Sequence, residues 1–468
     1  MGFYRLFTSK DTWISNASTD GTNGHRMTGS NFGMSPTLQL FAVKNAVESG
    51  SYELSRILLQ FNLNELSGKI FDEKTVPSSS VNYFLRLANY QHATTIPTSY
   101  ELFAYPLSKS WTEGTGSDQV TFRDYGWANW LSASSTTAWD VTGSDFQATN
   151  YGSGSQAFDR GWEDLEVNVT QVVNNWLTSS IGQAGGFPNN GLVVKYGASE
   201  ESNGVDYNLK MFHSKETKYV DKIPHIEARW DSDVIRDNRK NFAYNVPNRL
   251  YFYNFSRGQL SGTNEPLIVK IKDHWMNASA SFNVELTSSK VATGIYSASL
   301  QVENFTASFS SSWVDVWFAG ARVYMTGNFK PVFLSGSEVD PYEEYTMDVL
   351  NLKGEYSANE QARMKVGVRK KNLKKSHIRI VHTASTDVDK EYMDEMYYSV
   401  INDETGEVVI PFGTGSVDYT RLSYNGEGNY FDMFMNGYIP GFVYRLKFLI
   451  VSNKEKTVLD EGWKFKVV

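Results

Sequence analysis

The side chains of this chain that could do chemistry are scattered rather than gathered. Its seven histidines, His25, His92, His213, His225, His274, His377 and His382, include no pair at the H-x-x-x-H spacing that puts two imidazoles on one helix face for a metal. His377 and His382 flank one predicted strand, and a separation of five points them to opposite faces. A serine nucleophile needs a strand-to-helix elbow of the form G-x-S-x-G, whereas Gly413-Thr-Gly-Ser416 and Gly152-Ser-Gly-Ser155 read as turns. Adjacent acids such as Glu163/Asp164, Glu200/Glu201, Glu343/Glu344 and Asp394/Glu395 point apart on a strand and into solvent on a loop, so they define no glycosidase pair. Gly426-Glu-Gly428 opens no helix and is no phosphate-binding loop. The pattern predicts a protein that is not an enzyme and takes no organic cofactor.

Three features offer binding instead. Trp111, Trp127, Trp130 and Trp139 fall in one Ser/Thr/Gly-rich stretch between strands. Such indoles either cap the open end of a β-sandwich or present their faces to glycan rings or a neighbouring subunit. Asp11, Asp20 and Asn23, near a Gly-rich turn, supply oxygen atoms of the kind calcium takes, at a spacing unlike an EF-hand loop. The basic run Val368-Arg-Lys-Lys-Asn-Leu-Lys-Lys375 is either a solvated hairpin tip or a contact for an acidic neighbour. It lacks the interleaved aromatics of a nucleic-acid surface.

Composition narrows the setting. The chain contains no cysteine, which excludes disulfides, thiolate metal sites and cysteine nucleophiles and suits assembly in a reducing cytoplasm. A net charge of −8 argues against nonspecific binding to nucleic acid or anionic lipid. Apolar runs such as Phe448-Leu-Ile-Val451 fall far short of the ~20 residues that span a bilayer. The opening residues show no charged segment followed by an apolar one, so no export signal is expected.

These side chains must be positioned by sheets, because period-two alternation dominates. Thr37–Val43, Arg56–Leu63, Tyr83–Leu87, Tyr100–Leu107, Asn190–Tyr196 and Pro224–Trp230 read as strands, and one helix is predicted from Val169, Val172, Val173, Trp176 and Leu177 on a single apolar face. A charged stretch around Asp231–Lys240 interrupts the pattern. Strands then resume at Arg249–Phe255, Leu267–Lys272, Gly294–Val302, Trp313–Phe318 and Arg322–Phe329, a count that suits an immunoglobulin-like sandwich. After the Ser335–Glu344 turn residues, a further set runs from Arg363–Val368 to Trp463–Val468. The expected fold is all-β, with a jelly-roll-like sandwich over residues 1–232 and two immunoglobulin-like sandwiches over 245–335 and 345–468, arranged as a rod or tiled row.

The first unit resembles the DNRLRE family of carbohydrate-binding-type sandwiches over about residues 1–230. The resemblance lies in Asp11-Thr-Trp-Ile14, Arg56–Leu63, Tyr83–Leu87, Trp111-Thr-Glu113, Trp162–Trp176, Asn190–Tyr196, Phe212–Glu216 and Pro224–Ala228. Asn62 and Asn168 stand where that family usually has aspartate. The C-terminal phrase Tyr430–Tyr444, with Phe465–Val468, is similar to the close of tailed-phage virion proteins. Together the resemblances imply a structural component of a phage particle (neck, tail, baseplate or capsid surface), assembled in the host cytoplasm. They imply partners among other virion proteins, further copies of itself and, as the alternative role, a host-surface glycan.

Overall fold

A computed structural model describes residues 2–18, 26–44, 51–73, 75–117, 127–180, 182, 184–230, 235–239, 242–257, 259–263, 266–272, 283–302, 312–331, 344–371, 392–415, 417–452 and 455–468. The expected all-β class holds, and the β-sheets enclose three main hydrophobic cores.

The first core belongs to strands β1 (Gly2–Ser15), β2 (Thr37–Lys44), β3 (Tyr52–Phe61), β4 (Val81–Leu87) and β5 (Tyr100–Pro106). It is completed by β6 (Gly154–Phe158), β7 (Leu165–Asn168), β8 (Leu192–Tyr196), β9 (Tyr207–His213) and β10 (His225–Trp230). The pairing order is β6-β5-β8-β3-β1-β10-β4-β7, with β2 joining β3 to β9. The long strand β1 makes the corner: residues 2–7 pair with β10, residues 8–15 pair with β3, and a bulge between Thr8 and Lys10 separates the two. A bulge of this kind lets one strand pass from one sheet of a sandwich to the other.

β4 alternates strictly, burying Val81, Tyr83, Leu85 and Leu87. β3 and β8 instead carry continuous apolar runs, Ile57-Leu-Leu59 and Leu192-Val-Val194, as strands covered on both faces do. Ile57, Leu59 and Val194 face the main core, while Leu58 and Val193 face a second cluster on the outer side. The expected helix spans Thr170–Ser180 and presses Val172, Val173, Trp176 and Leu177 into the main core.

The second unit sets a three-stranded sheet against a four-stranded one, the immunoglobulin-like count. The first contains β11 (Asn248–Tyr253), β17 (Ile295–Leu300) and β16 (Ser289–Ala292); the second runs β15 (Asn283–Thr287), β14 (Ile268–Lys272), β18 (Trp313–Ala319), β19 (Arg322–Phe329). A small hairpin, β12 (Phe255–Ser256) with β13 (Gln259–Leu260), projects beside them. Trp313, Trp317, Phe252 and Phe242 fill the interior.

The third unit pairs β20 (Tyr345–Val349), β22 (Gln361–Lys370), β26 (Gly428–Phe434) and β25 (Ser423–Asn425) in one sheet. Its other sheet holds β21 (Glu355–Tyr356), β29 (Lys464–Val467), β27 (Val443–Ser452), β23 (Met396–Asn402) and β24 (Val408–Ile410), with β28 (Glu455–Leu459) on β27. The units do not form the expected row. Phe3, from the first strand of the chain, is part of the third unit's core, and Phe434 packs back on the first. The third sandwich also touches the second, where Tyr430 is buried with Tyr251 and Ile295.

Candidate functional site

The four tryptophans part company in the structure. Trp111, Trp130 and Trp139 are buried with Ile14, Leu58, Leu107 and Val193, so residues 107–117 and 127–147 lie over the outer face of β1, β3 and β8. Trp111 Nε1 donates to the Asn190 carbonyl at 3.0 Å and Trp139 Nε1 to that of Asn129 at 2.8 Å. Arg56 holds the lid from beneath. Its guanidinium lies 5.1 Å from the Trp130 ring centre, donates to the Gly143 carbonyl at 2.7 Å and pairs with Glu201 at 3.0 Å. Asn31 stitches the same segment by donating to the Glu113 and Ala128 carbonyls at 2.6 and 2.8 Å. These three indoles are therefore a cap with no ring face left for a ligand. Trp127, 37% exposed, is the one of the four with surface to offer.

Asp11 is 1% exposed and its Oδ2 accepts the Lys215 backbone N–H at 2.6 Å, while Lys215 Nζ pairs with Glu113 at 2.7 Å. Burial, stronger than the pull of Lys215, pushes the Asp11 carboxyl up to about 7. A carboxyl that favours its neutral form is a poor calcium ligand. Asp20 and Asn23 lie outside the described residues. Among the described residues no three His, Asp or Glu side chains converge as a metal site.

Asn62 and Asn168 act on the backbone. Asn62 Oδ1 accepts from Asn64 N–H at 3.2 Å at the start of a one-turn helix, and Asn168 Oδ1 accepts from Thr170 N–H at 3.0 Å. These are the two-residue-ahead bonds that asparagine and aspartate share. In the Trp162–Trp176 phrase, Trp176 is buried and Trp162 is 59% exposed. Of the basic run, Lys371 pairs with Glu344 at 2.9 Å and residues 372–375 lie outside the described residues, as do His377 and His382.

What the sequence reading missed is a buried charge cluster where the first and third sandwiches meet. Arg5 of β1 reaches Glu227 of β10 at 3.2 Å and donates to two carbonyls of the third unit, Val409 at 2.9 Å and Gly437 at 3.2 Å. Arg229 donates to Glu227 at 2.9 Å and pairs with Glu166 at 2.8 Å. Its guanidinium lies 4.4 Å from the ring centre of Phe84 and 5.0 Å from that of Tyr419. His225 Nδ1 donates to the Ile223 carbonyl at 2.7 Å, and its Nε2 lies 3.3 Å from Glu227. Burial alone would raise the Glu227 carboxyl, but the His225 contact and the two guanidinium groups outweigh it and hold it well below the usual range. Around this centre Phe3 stacks on Tyr419, and Tyr4 and Trp230 meet Phe434 edge-on. The sequence cue was Arg5, a cation within the otherwise uncharged, mostly aromatic and aliphatic run Gly2–Phe7.

Another buried cation, Lys210, sits within the first sandwich. Lys210 donates to Asn89 Oδ1 at 2.6 Å and to the Gly161 and Glu163 carbonyls at 2.8 Å each, against the rings of Phe158 and Phe212. All three of its protons are committed, so it is a strut and not a nucleophile.

No protein-family model matches the chain, and no curated protein does. Among solved structures, tandem immunoglobulin repeats of Dlar are 9% identical, with 48% of this chain and 92% of that one covered at a TM-score of 0.16. A chimeric titin Z1Z2 carrying a decorin peptide is 10% identical over 48% of this chain and 90% of that one, with the same TM-score. A DUF4785 family protein from Legionella pneumophila is 8% identical over 100% of this chain and 91% of that one, again at 0.16.

Proposed function

We propose that this protein is a non-enzymatic structural component of a tailed-phage particle, at a neck, tail, baseplate or capsid-surface position, where it docks to neighbouring subunits. The observation that carries the reading is the junction around Arg5. It joins residues more than 400 positions apart through buried charge and stacked rings, which suits a part that transmits force as one body. The segment that grips the first sandwich there includes β26 and the turn at Met435–Gly437, the phrase that resembles the close of virion proteins. Exposed β-edges offer docking surfaces: β19 ends its sheet and presents Val323 at 58% exposure.

Mass spectrometry of gradient-purified particles, with immunogold labelling, tests this reading. Stoichiometric copies at one fixed position are expected. Absence from intact particles would reject it.

A further inference from the structure

We propose that the cleft between the second and third sandwiches is a binding site for a neutral oligosaccharide. The cleft has a volume of about 660 Å³, inside the roughly 300–1,000 Å³ range of ligand pockets. The second sandwich supplies Tyr251 and Tyr253 from β11, Phe255 from β12 and Met325 from β19, and the third supplies Tyr430 from β26. Tyr251 and Tyr430 are nearly buried, at 3% and 6% exposure, so the ring faces open to a ligand are those of Phe255 and the half-buried Tyr253. Such faces suit the C–H faces of pyranose rings, which combine an apolar side with a hydroxylated rim. Phe255 stands at the mouth, 61% exposed.

The polar groups decide the charge of the ligand. Every cation lining the cleft is already matched: Arg363 forks onto Asp432 at 2.7 and 2.8 Å, Lys365 pairs with Glu427 at 2.7 Å, and Arg239 pairs with Asp315 at 2.6 Å. A phosphate, sulfate or uronate would have to break one of these pairs to be held. Arg363 also lies 4.6 Å from the ring centre of Tyr430, which fixes guanidinium and ring as one wall. Asp237 is 93% buried by its 7% exposure, and Oδ1 receives the Arg239 backbone N–H at 3.1 Å. Its carboxyl, raised by burial to about 6, can accept from or donate to a sugar hydroxyl. A neutral polyhydroxyl ligand leaves all three ion pairs intact.

The site is independent of any place in a virion, so it can fail or stand alone. Saturation-transfer NMR on the full chain with neutral trisaccharides of the gluco, galacto, manno and N-acetylglucosamine series, and with trigalacturonate, is the test. Transfer to at least one neutral trisaccharide and none to trigalacturonate is expected. Phe255→Ala should weaken the binding about tenfold, since one stacked ring is worth on the order of a tenfold change. Met325→Trp, which fills the cleft, should abolish it, and Trp127→Ala should leave it unchanged. Silence from every neutral trisaccharide overturns the proposal. So does preference for trigalacturonate, or loss with Trp127→Ala but not with Phe255→Ala in variants that melt like wild type.

Discussion

Asp11 shows how far burial can change a residue that the sequence offers as an acid. Its folded carboxyl titrates near 7, against an ordinary value of 3.8. The folded state therefore keeps a proton that the unfolded chain gives up. The stability from this group is fully present below about pH 4 and is lost as the pH rises through 7, at up to ~1.4 kcal/mol per pH unit. Asp11→Asn keeps an oxygen for the Lys215 N–H and removes the titration. Its urea midpoint, measured against wild type, should gain steadily between pH 4 and 7. Two curves that run parallel across that range would mean that Asp11 is ionised in the fold.

Among the elements, the three buried tryptophans carry the clearest consequence. Trp130 is buried with Trp111, Trp139 and Leu58 and lies against Arg56, so Trp130→Ala should cost about 3–5 kcal/mol through the cavity it leaves. Trp127→Ala, at a half-exposed position, should cost less than about 1 kcal/mol. Chemical denaturation of both variants distinguishes a cap from a ligand platform: equal small losses would contradict the burial. The sequence could not separate these roles, because an indole in a polar loop looks the same whether it faces inward or outward. Strands with a strict pattern were legible, β4 and β14 among them, and so was the Thr170–Ser180 helix. β6 was not. Its Gly-Ser-Gln-Ala-Phe reads as a turn, yet Gly154 is needed there because an added Cβ would meet Val167 Cγ1 at 2.3 Å and the Asn168 carbonyl oxygen at 2.4 Å. The junction around Arg5 was hidden for another reason: its partners at Val409 and Gly437 are distant in sequence, and no local period marks such a pair.

For the whole molecule, the junction decides whether three sandwiches behave as separate bodies or as one. Glu227 lies at its centre, paired with Arg5 and Arg229 and held well below the usual 4.5. A depressed carboxyl contributes stability that is present above its unfolded pKa and is lost as the pH falls through the folded one. The first and third sandwiches should therefore unfold together at pH 5 and above, and begin to part in more acidic solution. Arg5→Met removes the cation that also binds the Val409 and Gly437 carbonyls, leaving two buried acceptors and one less partner for Glu227. Breaking a buried pair on one side costs about 3–5 kcal/mol, and here the loss falls on the contact between units more than on either core. Scanning calorimetry at pH 7 should show a shared transition in wild type split into two in Arg5→Met, with the wild-type trace coming to resemble the variant's as the pH drops below 4. A single transition that merely moves to lower temperature in Arg5→Met would mean that the aromatic contacts of Phe3, Tyr4 and Trp230 hold the units together without the charges.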